Sequence, residues 1–208
     1  MTATFINSFI LFFVTIDTIG NLPFFLSLTE GAKIKKRNQI ALKSIIIAFF
    51  IMITFAYLGR YLLESIHVSL DSLKIAGGVI LMFLAIDILF EKRKIRREKR
   101  VEEALDERNF DDITVFPIAF PFIAGPSALT TIILLIGNYT NFPEFQIPVI
   151  LALVAALIVS LVLMIGANFI IKYIPQQILH ATARVMAFIL AALATQFIID
   201  GIKASFNI

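Results

Sequence analysis

The chain has 208 residues, of which 59% are hydrophobic and only 16% are charged, and its mean hydropathy is +0.92. A soluble domain is far less apolar, so the composition indicates an integral membrane protein. The formal net charge is +3 and cysteine is absent, which excludes disulfides, thiolate metal sites and cysteine nucleophiles within this chain.

Six apolar segments follow one another, each near the ~20 residues that a helix needs to cross the hydrocarbon of a bilayer. They cover residues 5–28, 40–63, 73–90, 113–137, 147–171 and 181–202. The first segment has no basic residues before it and no small-residue cleavage site after it, so we expect it to be retained. The sequence therefore predicts an all-α, polytopic protein with six transmembrane helices in one domain, residues 1–208.

The basic residues of the loops predict the orientation in the membrane. Loops one, three and five together hold thirteen Lys or Arg residues, whereas only Arg60, Lys74 and Lys203 lie at the opposite side. Because cytoplasmic loops carry an excess of positive charge, we expect these three loops in the cytoplasm and both termini outside. The expected location is the cell inner membrane.

A charged connector, residues 91–112, links the third and fourth apolar segments. It contains eight basic and eight acidic residues. Its zero net charge predicts a solvated, ion-paired helix and disfavours a nucleic-acid partner. The connector also leaves open an alternative function, a non-transporting scaffold or signalling protein. In that case deletions in the connector abolish function, whereas Asp17→Asn and Gly125→Leu leave it intact.

The two halves of the chain, residues 1–104 and 105–208, contain similar short sequence motifs in the same order. Gly20 aligns with Gly125 at an offset of 105, and the segment that begins at Lys74 aligns with that at Arg184 at an offset of 110. Each half contains three predicted spans, so the second half enters the membrane from the opposite face. The pattern predicts two inverted three-helix repeats, a plan typical of secondary transporters.

The first and fourth apolar segments are each interrupted near the middle of the membrane. In the first, Asn21 is the expected N-cap of a restarting helix, with Leu22 and Pro23 in its first turn; in the fourth, Gly125 precedes Pro126. Lipid tolerates such an open backbone only beside protein or a water-filled cavity. We therefore expect discontinuous first and fourth helices around a midplane site.

The chemistry of these breaks predicts the ligand. The start of a helix presents N–H groups and a positive dipole end, which hold carboxylates. The end of a helix presents carbonyl groups, and Asp17 adds a carboxylate, so the same site suits an ammonium. The expected partner is a small zwitterionic amino acid. The expected substrate-binding residues are Asp17, Thr18, Gly20, Asn21, Ala124, Gly125, Pro126, Ser127 and Thr130, with Thr131 as a further hydrogen-bonding group.

Several other functions are disfavoured by what the sequence contains. No nucleophile–base pair and no metal-binding set accompanies the buried Asp17, so we do not expect an enzyme, a metal or a cofactor. Coupling to a proton through Asp17 or to sodium through unwound carbonyls is left open. Gly77 and Gly78 are expected to pack helices closely, Lys74 to extend to the interface, and His67 to face solvent.

The chain resembles the MarC family of integral membrane proteins, which belongs with the LysE-type exporters. The motifs that carry the resemblance lie at residues 17–23, 74–78, 124–126 and 196–201. The resemblance implies six helices, an outside N-terminus, inverted repeats, and glycine or alanine as substrates.

Two positions depart from the family's usual motifs. Thr18 stands where proline is common, and its hydroxyl is expected to bond back to the preceding turn. Ser127 stands where glycine is common, and is expected to narrow the cavity and add a donor.

Overall fold

The computed structural model describes residues 1–65, 67, 69–90, 112–139, 142–167, 169 and 176–206. Every regular element in these residues is helical, as the sequence predicts. In chain order the helices are α1 (Thr2–Ile16), α2 (Thr18–Leu28), α3 (Ile34–Ser65), α4 (Leu70–Leu89), α5 (Thr114–Ile123), α6 (Pro126–Asn138), α7 (Pro143–Ile165) and α8 (Gln176–Phe206). The charged connector lies outside the described residues, apart from Asp112.

The first apolar segment forms two helices that are separated by a single residue. Asp17 adopts a left-handed conformation, with φ 50° and ψ 54°, and both ends α1 and caps α2. The prediction that Asn21 is the cap is therefore wrong. Asp17 lies four residues earlier and already supplies an acceptor for the first turn, so the helix restarts at Thr18 and Asn21 and Pro23 lie inside it.

The fourth segment is interrupted more severely than the first. α5 is a wide, π-type helix with extended backbone at Phe116 (φ −123°, ψ 124°) and Phe120 (φ −132°, ψ 127°). Each of these residues precedes a proline, which disfavours helical dihedrals in the residue before it. α5 and α6 then meet at an angle of 57°. The interruption predicted here is confirmed, and it begins earlier than expected, at Phe116.

Several of the helices are long and apolar enough to cross a membrane. Among the described residues four spans meet this description, and the bent pair α5–α6 makes five; the four cover Thr2–Leu28, Ile34–Gly59, Pro143–Ile165 and Ala187–Phe206. The fold is thus an all-helical membrane protein with four or five such spans. α4, at the position of the predicted third span, is 20 residues long and is not one of them.

Two packed regions form the interior. The larger one brings α1 and α2 against α3, α5, α6 and α7, with Phe12, Ile16 and Leu153 among its fully buried side chains. The smaller one lies mainly between α4 and α8 and is lined by Leu81 and Leu190. Because lipid is as apolar as these side chains, close van der Waals packing is what holds such helices together.

Glycines allow the closest of these contacts, as the sequence predicts. A Cβ atom at Gly78 would lie 2.7 Å from the carbonyl oxygen of Ala194 in α8, and one at Gly77 would lie 2.6 Å from Cγ2 of Thr130 in α6. Both residues therefore pack helices. His67 is exposed, as expected.

Lys74 forms an ion pair with Asp71. Its Nζ lies 3.1 Å from Oδ1 of Asp71, one turn earlier in α4, and both side chains are partly exposed. A surface pair of this kind contributes little to stability. The ion pair holds the ammonium of Lys74 beside the first turn of α4. That end of α4 is also where the side chain was expected to extend to the membrane interface.

Candidate functional site

The first break is organised by Asp17 and Gly20. The carboxylate of Asp17 accepts a hydrogen bond from the backbone N–H of Gly20 (3.3 Å). A Cβ atom at Gly20 would lie 2.5 Å from the other carboxylate oxygen, so the absence of a side chain leaves room for this cap. The negative charge of Asp17 therefore already lies over the positive end of α2. This contradicts the expectation that this helix end holds a ligand carboxylate.

The second break is organised by Gly125 and Pro126. Gly125 is the N-cap of α6, with extended backbone, and Pro126 follows in the first turn, which confirms the prediction. No side chain caps this end. The first helical bond runs from the N–H of Leu129 to the carbonyl of Gly125 (2.9 Å). The N–H groups of Ser127 and Ala128 thus have no acceptor within the helix.

The two breaks meet at the side chain of Asn21. Its Nδ2 donates to the carbonyl of Ile16 at the end of α1 (2.9 Å) and to the carbonyl of Phe122 in α5 (3.1 Å). Asn21 is 5% exposed. The rings of Phe24 and Phe122 also contact edge to face, with centroids 6.1 Å apart. One amide of the first half thus satisfies a carbonyl at each break, that of Ile16 in its own half and that of Phe122 in the other.

Ser127 makes a second connection between the breaks. Its Oγ donates to the carbonyl of Thr15 (3.4 Å), the residue before the one that Asn21 binds. The start of α6 and the amide of Asn21 are therefore held by consecutive residues of α1. The donor that Ser127 was expected to add is directed at this carbonyl in the structure.

Thr18 contacts a residue that sequence reasoning missed. Its hydroxyl is hydrogen-bonded to the hydroxyl of Ser160 in α7, and both side chains are buried. Thr18 does not bond back to the preceding turn, contrary to the prediction, because a polar partner in α7 lies within reach. The available signal was a single hydroxyl within the apolar segment 147–171. A second such contact joins Ser44 in α3, whose hydroxyl donates to the carbonyl of Thr114 (2.8 Å).

The remaining residues expected at the site lie around the start of α6. Ala124 and Gly125 are buried, whereas Pro126 is exposed. Thr130 and Thr131 are also buried, and their hydroxyls donate to the carbonyls one turn earlier, at 2.9 Å and 2.8 Å. Among the described residues no group of three His, Cys, Asp or Glu side chains is placed to hold a metal ion. The site offers backbone N–H donors at α6 and oxygen acceptors at α1 and α2.

These features define a polytopic, all-helical membrane protein in which two interrupted helices are joined in the core. The family model described as "MarC family integral membrane protein" matches residues 2–206. The chain therefore belongs to the MarC family, as its resemblance suggested.

Curated relatives carry the name UPF0056 membrane protein. One from Archaeoglobus fulgidus is 37% identical over 201 residues, which cover 95% of this chain and 92% of the relative. One from Methanocaldococcus jannaschii is 32% identical, over 98% of this chain and 88% of the relative. The relative YvbG from Bacillus subtilis is 27% identical, over 100% and 98%. No solved structure matches the chain.

Proposed function

We propose that the protein is a secondary transporter that moves a small neutral amino acid, such as glycine or alanine, across the inner membrane by alternating access. The observation that carries the proposal is the junction of the two breaks at Asn21, deep in the packed interior. Interrupted helices at corresponding positions of two halves are where secondary transporters bind substrate. A buried junction of this kind offers a ligand both helix-end amides and unpaired oxygens.

The proposed architecture has six spans in two inverted repeats, with both termini outside. Each half has a broken helix, then a long helix, then a helix of the α4–α8 pair; the order is α1–α2, α3, α4 and then α5–α6, α7, α8. This common order supports the repeat, and α4 supplies the sixth crossing. The excess of Lys and Arg in loops one, three and five supports the orientation.

The poles of an amino acid fit the two sides of the junction. The uncapped start of α6 presents the N–H groups of Ser127 and Ala128, which attract a carboxylate. The carbonyl oxygens at the end of α1 keep a second lone pair beyond the bonds from Asn21 and Ser127, and this acceptor capacity attracts an ammonium. A small side chain is proposed because the junction is enclosed by buried residues such as Ala124 and Ile16.

Uptake and efflux of labelled glycine and alanine in proteoliposomes test the proposal. The wild type is compared with Gly125→Leu, each with and without proton and sodium gradients, so that the coupling ion is found in the same assay. Leu151→Ala, a change at an exposed position of α7, is the matched control. We expect transport by the wild type and the control and its loss in Gly125→Leu. Absence of transport of either amino acid by the wild type would contradict the proposal.

A further inference from the structure

Asn21 carries a buried acceptor that no group in the described part of the chain uses. Both N–H bonds of its amide are directed at carbonyls, those of Ile16 and Phe122. These two hydrogen bonds fix the orientation of the amide and use both of its N–H groups. The amide oxygen, Oδ1, is then the one polar atom of the side chain that is left to accept a hydrogen bond. Oδ1 is buried, and none of the residues that the structure describes donates a hydrogen bond to it. An unsatisfied buried acceptor is rare in native proteins and costs about 1–3 kcal/mol, so it requires an explanation.

Each described hydroxyl group near Asn21 has an acceptor for its proton within the protein. The proton of Ser160 goes to the carbonyl of Ala156 (2.9 Å), so Thr18 is the donor in its bond with Ser160. A hydroxyl has one proton, and what remains on each oxygen is acceptor capacity. Four other hydroxyl groups donate to backbone carbonyls, namely Thr15 to Leu11, Ser127 to Thr15, Thr130 to Pro126 and Thr131 to Ser127.

We propose that Oδ1 of Asn21 accepts a hydrogen bond from the ammonium group of the substrate. The proposal rests on the amino-acid transport proposed above and names the residue that recognises the amino pole. With every hydroxyl proton committed, the side chains at the junction present acceptors, and the donors are the backbone N–H groups at the start of α6. Such a surface favours a ligand with several N–H donors at one end and an anion at the other.

Asp17 is thereby assigned a different part from that expected from the sequence. Its carboxylate caps α2 through the N–H of Gly20, at 3.3 Å, and its charge is offset by the positive end of that helix. Asn21 is neutral, so it binds an ammonium without adding a buried charge to the empty site. A neutral acceptor also allows the unloaded protein to change conformation without moving a buried charge through the core.

The test measures binding to the purified full-length protein by isothermal titration calorimetry. The ligands are glycine, glycolate, which has one hydroxyl donor in place of the ammonium, and acetate, which has none. For the wild type we expect glycine to bind at least about tenfold more tightly than glycolate, and glycolate more tightly than acetate, because a site built to hydrogen-bond a donor rejects ligands that lack it. Equal binding of glycine and acetate would overturn the assignment. This comparison needs no variant and so does not depend on the folding of one.

Two variants then distinguish Asn21 from Asp17. We expect Asn21→Leu to reduce the affinity for glycine to that for acetate, and Asp17→Asn to keep the preference for glycine. Thermal unfolding of both variants identifies any loss caused by misfolding. If Asp17→Asn abolishes the preference and Asn21→Leu retains it, Asp17 is the ammonium partner and the proposal is wrong.

A sodium ion is the other cation that an unpaired oxygen can attract. The titrations are therefore repeated with choline replacing sodium. If the affinity for glycine is the same without sodium, the ammonium assignment is supported. If the wild type loses glycine affinity without sodium and Asn21→Leu does not, the oxygen binds sodium and the assignment is wrong. A transport assay separates this assignment from the proposed function. If glycine or alanine is transported but is not preferred over acetate, only the assignment of Asn21 is wrong. If neither amino acid is transported, both proposals are wrong.

Discussion

The side-chain amide of Asn21 donates to the backbone carbonyl of Phe122, 101 residues away, across 3.1 Å. This hydrogen bond joins the interrupted helix of the first half to that of the second. In the hydrocarbon of a bilayer, the polar backbone groups of a break must be satisfied by protein or by the water of a cavity, and here a protein side chain does so. The two interruptions are therefore one structural unit, in which each supplies what the other lacks.

The bend between α5 and α6 depends on the absence of a side chain at Gly125. We expect Gly125→Ala to lower the free energy of unfolding by about 1–3 kcal/mol, as overpacking does, because its Cβ would lie 2.6 Å from the carbonyl oxygen of Pro121. Denaturation by sodium dodecyl sulfate from a mild detergent measures this. The control is the exposed neighbour Pro126→Ala, for which a change within about 1 kcal/mol is expected. Equal stability of Gly125→Ala and wild type would show that the backbone relaxes freely here.

The hydrogen bond between Thr18 and Ser160 couples the first break to α7. A double-mutant cycle with Thr18→Val and Ser160→Ala should give a coupling energy of about 0.6 kcal/mol, the average for such bonds between membrane helices, and no more than about 1.7 kcal/mol. The measurement is the unfolding free energy of each variant. Thr195→Val, which removes an exposed hydroxyl bonded within α8, should show no coupling with Ser160→Ala. Purely additive effects of Thr18→Val and Ser160→Ala would mean that the bond contributes nothing.

The contact between α4 and α8 requires glycine at position 78. Gly78→Ala is expected to destabilise the protein by about 1–3 kcal/mol, because the new methyl group would meet the backbone of Ala194 at 2.7 Å, and a backbone atom cannot rotate away. Val79→Ala, at an exposed neighbouring position, is the control and should change stability little. A thermal-unfolding midpoint for Gly78→Ala at or above that of Val79→Ala would contradict this account.

The absence of cysteine makes the proposed orientation directly testable. Single cysteines at Lys33, His67 and Phe142, all exposed positions, are labelled with a membrane-impermeant maleimide. We expect the His67 and Phe142 variants to react in intact cells and the Lys33 variant only after permeabilisation, as positive-inside charge predicts. Labelling of all three from the same side would exclude the proposed topology. Accessibility of Lys33 alone in intact cells would reverse the orientation.

The sequence was sufficient to predict features that depend on neighbouring residues. The helical class follows from long apolar runs, and the restart at Gly125 follows from a glycine, a proline and a serine in succession. The packing role of Gly77 and Gly78 follows from small residues in an apolar helix. The irregular start of α5 was also present in the sequence, since Phe116 precedes a proline, but that signal was overlooked.

Features that depend on distant residues were beyond local reasoning. Asn21 has the chemistry of a helix cap, and only the fold brings the carbonyl of Phe122 close enough to take up its amide. Similarly, Thr18 was expected to bond to its own helix, and its partner Ser160 lies 142 residues away. In both cases a polar side chain had a local and a distant alternative, and tertiary contact decided between them.

The glycine contacts of α4 and α8 also limit how the molecule changes shape. Gly78 meets the backbone of α8, and Gly201 meets the backbone of α4 at Asp71, where an added Cβ would lie 2.9 Å from the carbonyl oxygen. At both points a glycine lets backbone approach backbone closely, beside the side chains of Ile198 and Ile75. Since α4 belongs to the first half of the chain and α8 to the second, this seam fastens the halves together. In the transport cycle proposed above, this seam favours movement by bending at Asp17 and Gly125, with the α4–α8 pair as the stationary frame.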